Sequence, residues 1–159
     1  MKTVTLVLIT EASQCSPVHR VCPHVYQVPD QTSELLKLTE LWYNHLGSNT
    51  FSYLMTVAEQ PFPELRISLL MLFEALASQS WAQTIMANHP GFREYLLDRS
   101  TEKVKECKEK KYNVVLTLVN APTTAEIFGN PYLVQLKVYC NQGPFFVRVQ
   151  AEVAMEGDS

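Results

Sequence analysis

Between Glu59 and Met86 the chain reads EQPFPELRISLLMLFEALASQSWAQTIM, and its apolar positions recur at helical spacing on more than one side. Pro63 suits the first turn of a helix, where its missing N–H is not needed, and Glu64 beside it faces the positive end of the helix dipole. At 100° per residue Leu65, Leu69, Leu72, Phe73 and Leu76 form one stripe. Ile67, Leu70 and Met71 lie on the far side, separated from that stripe by Arg66, Ser68, Glu74 and Ser78. A helix that is apolar on nearly every side is one that neighbours cover from several directions.

The same spacing predicts helices almost to the end of the chain. Thr32 or Ser33 caps a helix through LLKLTELWYNHL that Gly47 stops, and Asn49 caps a second through FSYLMTVAEQ, closed by Pro61 and Pro63. The helix from Pro63 runs to about Ser78. SWAQTIM and FREYLLDR follow, divided by Asn88, Pro90 and Gly91. A longer helix from about Glu102 carries KVKECKEKKYNVVLTLVN to Asn120, and TTAEIF and YLVQLKVYC complete the series before Gly143 and Pro144. The ending, FFVRVQAEVAMEGDS, alternates as an extended segment does and then turns polar.

Sliding the chain against itself by 42 residues superposes Leu65 on Cys107, Leu72 on Val114, Phe73 on Val115, Leu76 on Leu118, Ala77 on Val119, Ile85 on Ile127 and Met86 on Phe128. One residue of slippage then sets Pro90 against Pro131, Phe92 against Leu133 and Tyr95 against Leu136. A unit of long, short and medium helices with a period of about 40–47 residues is the mark of HEAT and armadillo repeats. In such arrays each repeat touches its neighbours and the long helix is packed between them. The expected fold is therefore all-α, an armadillo/HEAT-like helical solenoid coiling as a right-handed superhelix. Its parts are an irregular segment over 1–30, repeats over 31–142 and an extended tail over 143–159.

Composition narrows the partners. The 159 residues carry 47% hydrophobic and 18% charged side chains with a net charge of -3, ordinary for a globular protein and without a global attraction to nucleic acid or anionic lipid. Four cysteines, Cys15, Cys22, Cys107 and Cys140, are too scattered for a disulfide scaffold. A reducing compartment, the cytoplasm and also the nucleus, is expected. MKTVTLVLITEASQ loosely resembles a secretory signal, but its apolar stretch is short and broken by threonine. Cys15, His19, Cys22 and His24 match no usual zinc spacing, so this segment reads as an irregular, Pro-rich stretch and no cofactor or metal is expected.

Candidate chemistry is sparse. The histidines are scattered, with His45 and His89 at helix ends where capping or exposure is the ordinary role, and the glycines form no phosphate loop. Cys107 and Cys140 read as small core residues on apolar faces. The charged run from Glu102 to Lys111 reads as the solvated start of its helix, with Val104, Cys107, Val114, Val115 and Leu118 on the opposite, apolar face. Lys103, Glu106, Lys110, Asn113 and Thr117 then look outward, and Glu64, Ile67, Met71, Glu74 and Ser78 of the earlier copy share about the same surface. In an armadillo stack that surface lines the concave groove. Methionine and isoleucine among charges suit a protein partner. No enzyme is expected.

The words QPFPELR, SWAQTIMANHPGFREYLLDRS, AEIFGNPYL and QGPFFVRVQAEVAMEGDS, in order and at similar spacing, resemble the C-terminal part of the proteasome non-ATPase regulatory subunit 5 family over about residues 31–159. The resemblance implies an all-helical, non-catalytic assembly chaperone. Such a protein binds the C-terminal domain of one ATPase subunit while the base of the proteasome regulatory particle is built with its associated subunits. Residues 1–30 do not resemble that family's interior, which suggests a shortened product, either competent or inactive. Some two and a half repeats remain, so marginal stability or self-association is expected. An importin-type adaptor reading extended peptides is the competing class. It would need a ladder of groove asparagines and tryptophans, and Ala75 and Thr117 stand at the asparagine places, with Met71 and Asn113 at the tryptophan places. A redox or metal role for the cysteines and histidines near the start is a third.

Overall fold

In a computed structural model, which describes residues 33–147, the described residues are all-helical. Among the described residues eight helices follow one another: α1 Ser33–Asn44, α2 Thr50–Ala58, α3 Pro63–Ala77, α4 Ser80–Asn88, α5 Phe92–Leu97, α6 Lys105–Asn120, α7 Thr124–Phe128 and α8 Asn130–Gln142. The expectations for residues 1–30 and for the end of the tail lie outside the described residues.

Equivalent helices stack on one another. The long helices α3 and α6 make the most extensive packing in the molecule, the short helices form the series α1, α4, α7, and the medium helix α5 packs on α8. Phe51 of α2 meets Phe92 of α5 edge to face, 5.4 Å between ring centroids, and Tyr43 of α1 lies 5.1 Å from Trp81 of α4. This succession is a helical solenoid, and it explains the composition of α3. Leu69, Leu72, Phe73 and Leu76 are buried on one side, and Leu70 on another is fully buried as well. Each such side chain removed from water contributes about 1.5–3 kcal/mol.

The 42-residue register holds where the long and short helices are compared. Leu72 and Val114, Phe73 and Val115, Leu76 and Leu118, and Met86 and Phe128 are all buried pairs. Beyond them the slippage is two residues rather than one. Phe92 and Leu96 are buried in α5, and their counterparts in α8 are Tyr132 and Leu136, an offset of 40 residues. Gly91 and Gly129 introduce the two helices at φ +84 and +88, but Pro131 lies inside α8 while Pro90 precedes α5, so proline alone misplaces the register.

Polar side chains fasten one repeat to the next. Buried Gln83 donates from Nε2 to the Ala77 carbonyl at 2.7 Å and accepts from Thr123 Oγ1 at 2.8 Å. Arg93 donates to the carbonyls of Ala87 (3.2 Å) and Phe128 (3.3 Å), and Tyr132 Oη donates to the Arg93 carbonyl at 3.1 Å. Arg99 donates to the carbonyls of Tyr139 (2.9 Å) and Gly143 (2.6 Å), satisfying acceptors that a helix end leaves open.

Candidate protein-binding face

Helical geometry places Ile67, Met71 and Glu74 along one edge of α3, with Ser78 capping its end, beside Lys110, Asn113 and Thr117 of α6. All seven are half-buried, so they border the α3–α6 junction rather than project freely. Glu64 and Glu106 are exposed in the first turns of the two helices. The Glu74 carboxyl is held above its usual range because the junction desolvates it, while Lys110 and a hydrogen bond from Asn113 pull in the opposite direction. These three residues, expected separately from the two copies, act on one another.

Lys103 departs from the expected face. α6 begins at Lys105, so Lys103 lies in the α5–α6 linker, where it borders a cleft of about 820 Å³ with Arg99, Lys108, Val138, Tyr139 and Phe146. The reason is its neighbour. Glu102, 2% exposed, pairs with Arg66 of α3 and accepts from Tyr95 Oη at 3.2 Å, which anchors the linker two residues before Val104, itself extended at the start of α6. Val104 accordingly stays exposed instead of joining the apolar face of Cys107 and Val114.

The charged run is likewise more than a solvated helix start. Lys111 is 1% exposed and donates to the Tyr95 carbonyl, the Asp98 carbonyl (2.6 Å) and Thr101 Oγ1 (2.7 Å), with Nζ 4.3 Å from the Tyr95 ring centroid. Burial pushes its pKa down to about 8, against the pull of Glu102 and Asp98. Arg66 completes the cluster by donating to the Thr101 carbonyl at 2.7 Å. A lysine at the position following Lys110 carried one signal of this: it falls on the stripe of Cys107, Val114 and Leu118. Cys107 is buried beneath the first turn of α3, and its thiol pKa is raised by that burial.

Of the two histidines among the described residues, one serves the framework. His89 closes α4 and shares a 3.2 Å hydrogen bond between Nε2 and Ser52 Oγ, with its ring 5.1 Å from Phe51. His45 is exposed just beyond α1.

Residues 23–159 match the model of a family described as the proteasome non-ATPase 26S subunit. Over 132 residues the chain is 44% identical to the 26S proteasome non-ATPase regulatory subunit 5 of Bos taurus, covering 83% of this chain and 26% of that protein. With the Homo sapiens protein of the same name the identity is 43% over 134 residues, 84% of this chain and 27% of that one. With the Drosophila melanogaster protein it is 25% over 132 residues, 82% and 25%. The chain thus spans about a quarter of the length of the curated relatives it matches. No solved structure matches it.

Proposed function

The chain belongs to the proteasome non-ATPase 26S subunit family, and on that premise we propose that it is a non-catalytic scaffold which binds an ATPase subunit of the regulatory particle during assembly of its base. The contact is with the ATPase C-terminal domain, in the cytoplasm and the nucleus. What carries the reading is the α3–α6 junction of a family member: a continuous face on which Met71 and Ile67 sit among Glu74, Lys110 and Asn113. Such a mixture suits a protein surface better than a small substrate. A stable contact buries roughly 1,600 Å² in total, so associated base subunits would extend the footprint beyond these two helices.

Co-purification with individual proteasome ATPase C-terminal domains tests the proposal, using the unaltered chain and the variants Met71→Glu and Lys110→Glu. Retention by one ATPase domain and its loss in either variant supports the face. Retention unchanged in both moves the contact elsewhere on the solenoid, and failure of every ATPase domain to retain the unaltered chain rejects the proposed activity.

A further inference from the structure

The proposed ATPase contact leaves the cleft beside Lys103 without a use. It lies where the end of α5, the α5–α6 linker and the start of α6 face α8, and at about 820 Å³ it is of a size that a ligand or a short peptide segment fills. Leu97, Val138 and Tyr139 give it an apolar floor, and Val138 is 49% exposed. Its rim is charged, with Arg99, Lys103 and Lys108 set against Asp98 and Glu102. Both carboxylates are engaged: Glu102 pairs with Arg66, and Asp98 Oδ1 accepts from the Ser100 N–H at 2.8 Å. Arg99 is engaged too, donating to the Tyr139 and Gly143 carbonyls with its guanidinium 3.7 Å from the Tyr139 ring centroid. Lys103 and Lys108 have no carboxylate partner among the described residues.

The chain itself supplies a segment of matching chemistry. Val147 lines the cleft and is the last described residue, so RVQAEVAMEGDS, residues 148–159, continues from the cleft's own wall. Glu152, Glu156 and Asp158 stand there against a single cation, Arg148, and Val149, Ala151 and Val153 alternate with polar or small residues. In an extended chain that alternation sets the three apolar side chains on one side. Five residues of extended chain reach at most about 18 Å, which brings Glu152 within range of lysines that border the same cleft as Val147.

We propose that residues 149–156 dock in this cleft of their own chain, with Val149, Ala151 and Val153 over Leu97 and Val138 and with Glu152 and Glu156 beside Lys103 and Lys108. An occupant tethered at Val147 needs no large interface, because a short link holds it at an effective concentration in the millimolar range, where weak contacts suffice. The segment shields Val138, which α8 otherwise shows to water, and so plays the part of a capping element on the flank of a solenoid. The docking is independent of the proposed ATPase contact, which uses the α3–α6 edge.

Amide hydrogen exchange on the full chain, read by mass spectrometry, tests it against a synthetic peptide of sequence RVQAEVAMEGDS. Amides over 149–156 should exchange slower in the chain than in the free peptide by about tenfold or more. Lys103→Glu with Lys108→Glu should bring them to the peptide's rate while α3 and α6 exchange as before, which shows that the variant is folded. Glu152→Lys with Glu156→Lys should do the same, and the four changes together should restore the protection, whereas Lys137→Glu should leave it unaltered. Exchange at the free-peptide rate in the parent chain, protection indifferent to both charge reversals, no restoration in the combined variant, or protection that fades on dilution and so comes from a second molecule overturns the proposal.

Discussion

Phe51 and Phe92 meet edge to face across two successive repeats, and Phe73 of the intervening long helix completes the cluster at 5.5 Å from Phe51 and 5.6 Å from Phe92. Phe92 and Phe73 have no exposed surface. The three rings join α2, α3 and α5, so the contact between repeats is also the centre of the core.

Phe92→Ala should therefore lower stability by about 3–5 kcal/mol, the usual cost of emptying a buried aromatic site. Chemical denaturation followed by far-ultraviolet dichroism checks it. Phe62→Ala, on a residue that is 56% exposed, should change stability by no more than about 0.5 kcal/mol.

The Arg66–Glu102 pair predicts a coupling. Removing Arg66 leaves the Glu102 carboxylate buried with only the Tyr95 hydroxyl and the nearby lysine to compensate, which should cost about 3 kcal/mol. The double change Arg66→Met with Glu102→Leu should cost clearly less than the two single changes added together. A double-mutant cycle measures the difference, and additive values would mean that the pair contributes no interaction of its own.

Lys111 predicts a pH slope. Its folded pKa, about 8, lies below the ordinary 10.5, so between those values the unfolded chain holds the extra proton. Stability contributed through this group is accordingly lowest below pH 8 and rises as pH climbs toward 10.5, by an amount on the order of 3 kcal/mol across the window. Tyr43, Tyr95 and Tyr132 act in the opposite sense above pH 10, since burial raises their folded pKa values. Unfolding free energies of the parent chain and of Lys111→Met compared from pH 7 to 9.5 isolate the lysine: the parent should gain relative to the variant as pH rises. The reverse trend would mean that the three oxygens holding Nζ outweigh its desolvation.

Glu74 links stability to the proposed activity. Its folded pKa is raised, so the charged form present at neutral pH is the one that folding disfavours, and stability through this group grows as pH falls toward the carboxylate range. Glu74→Gln should slightly raise the melting temperature at pH 7 and weaken retention by the ATPase domain. Loss of both would make Glu74 a framework residue only.

Local signals were enough for the elements. Pro63 opening α3, Gly47 after α1, and Gly143 after α8 act within a turn or two of chain, and each helix lies within a few residues of its expected span. The long-helix register was legible too, because buried positions must repeat when each helix is covered in the same way. The register of α5 and α8 was not, since a proline is permitted just before a helix or within its first turn, and only the burial of Phe92, Leu96, Tyr132 and Leu136 distinguishes the two.

Periodicity and end signals in the chain of residues determined that this protein is a series of helices whose long members bury more than one side, because those effects are short-ranged. The three-dimensional arrangement decided which outward-looking residues are covered. Lys111 and Glu102 are interior because Arg66, Tyr95, Asp98 and Thr101, all outside α6, supply their partners, and Cys107 is closed because α6 packs against the start of α3. Burial depends on what a stretch of chain meets, and that is set by contacts from 7 residues apart, as between Tyr95 and Glu102, to 44, as between Pro63 and Cys107, beyond the reach of any local pattern.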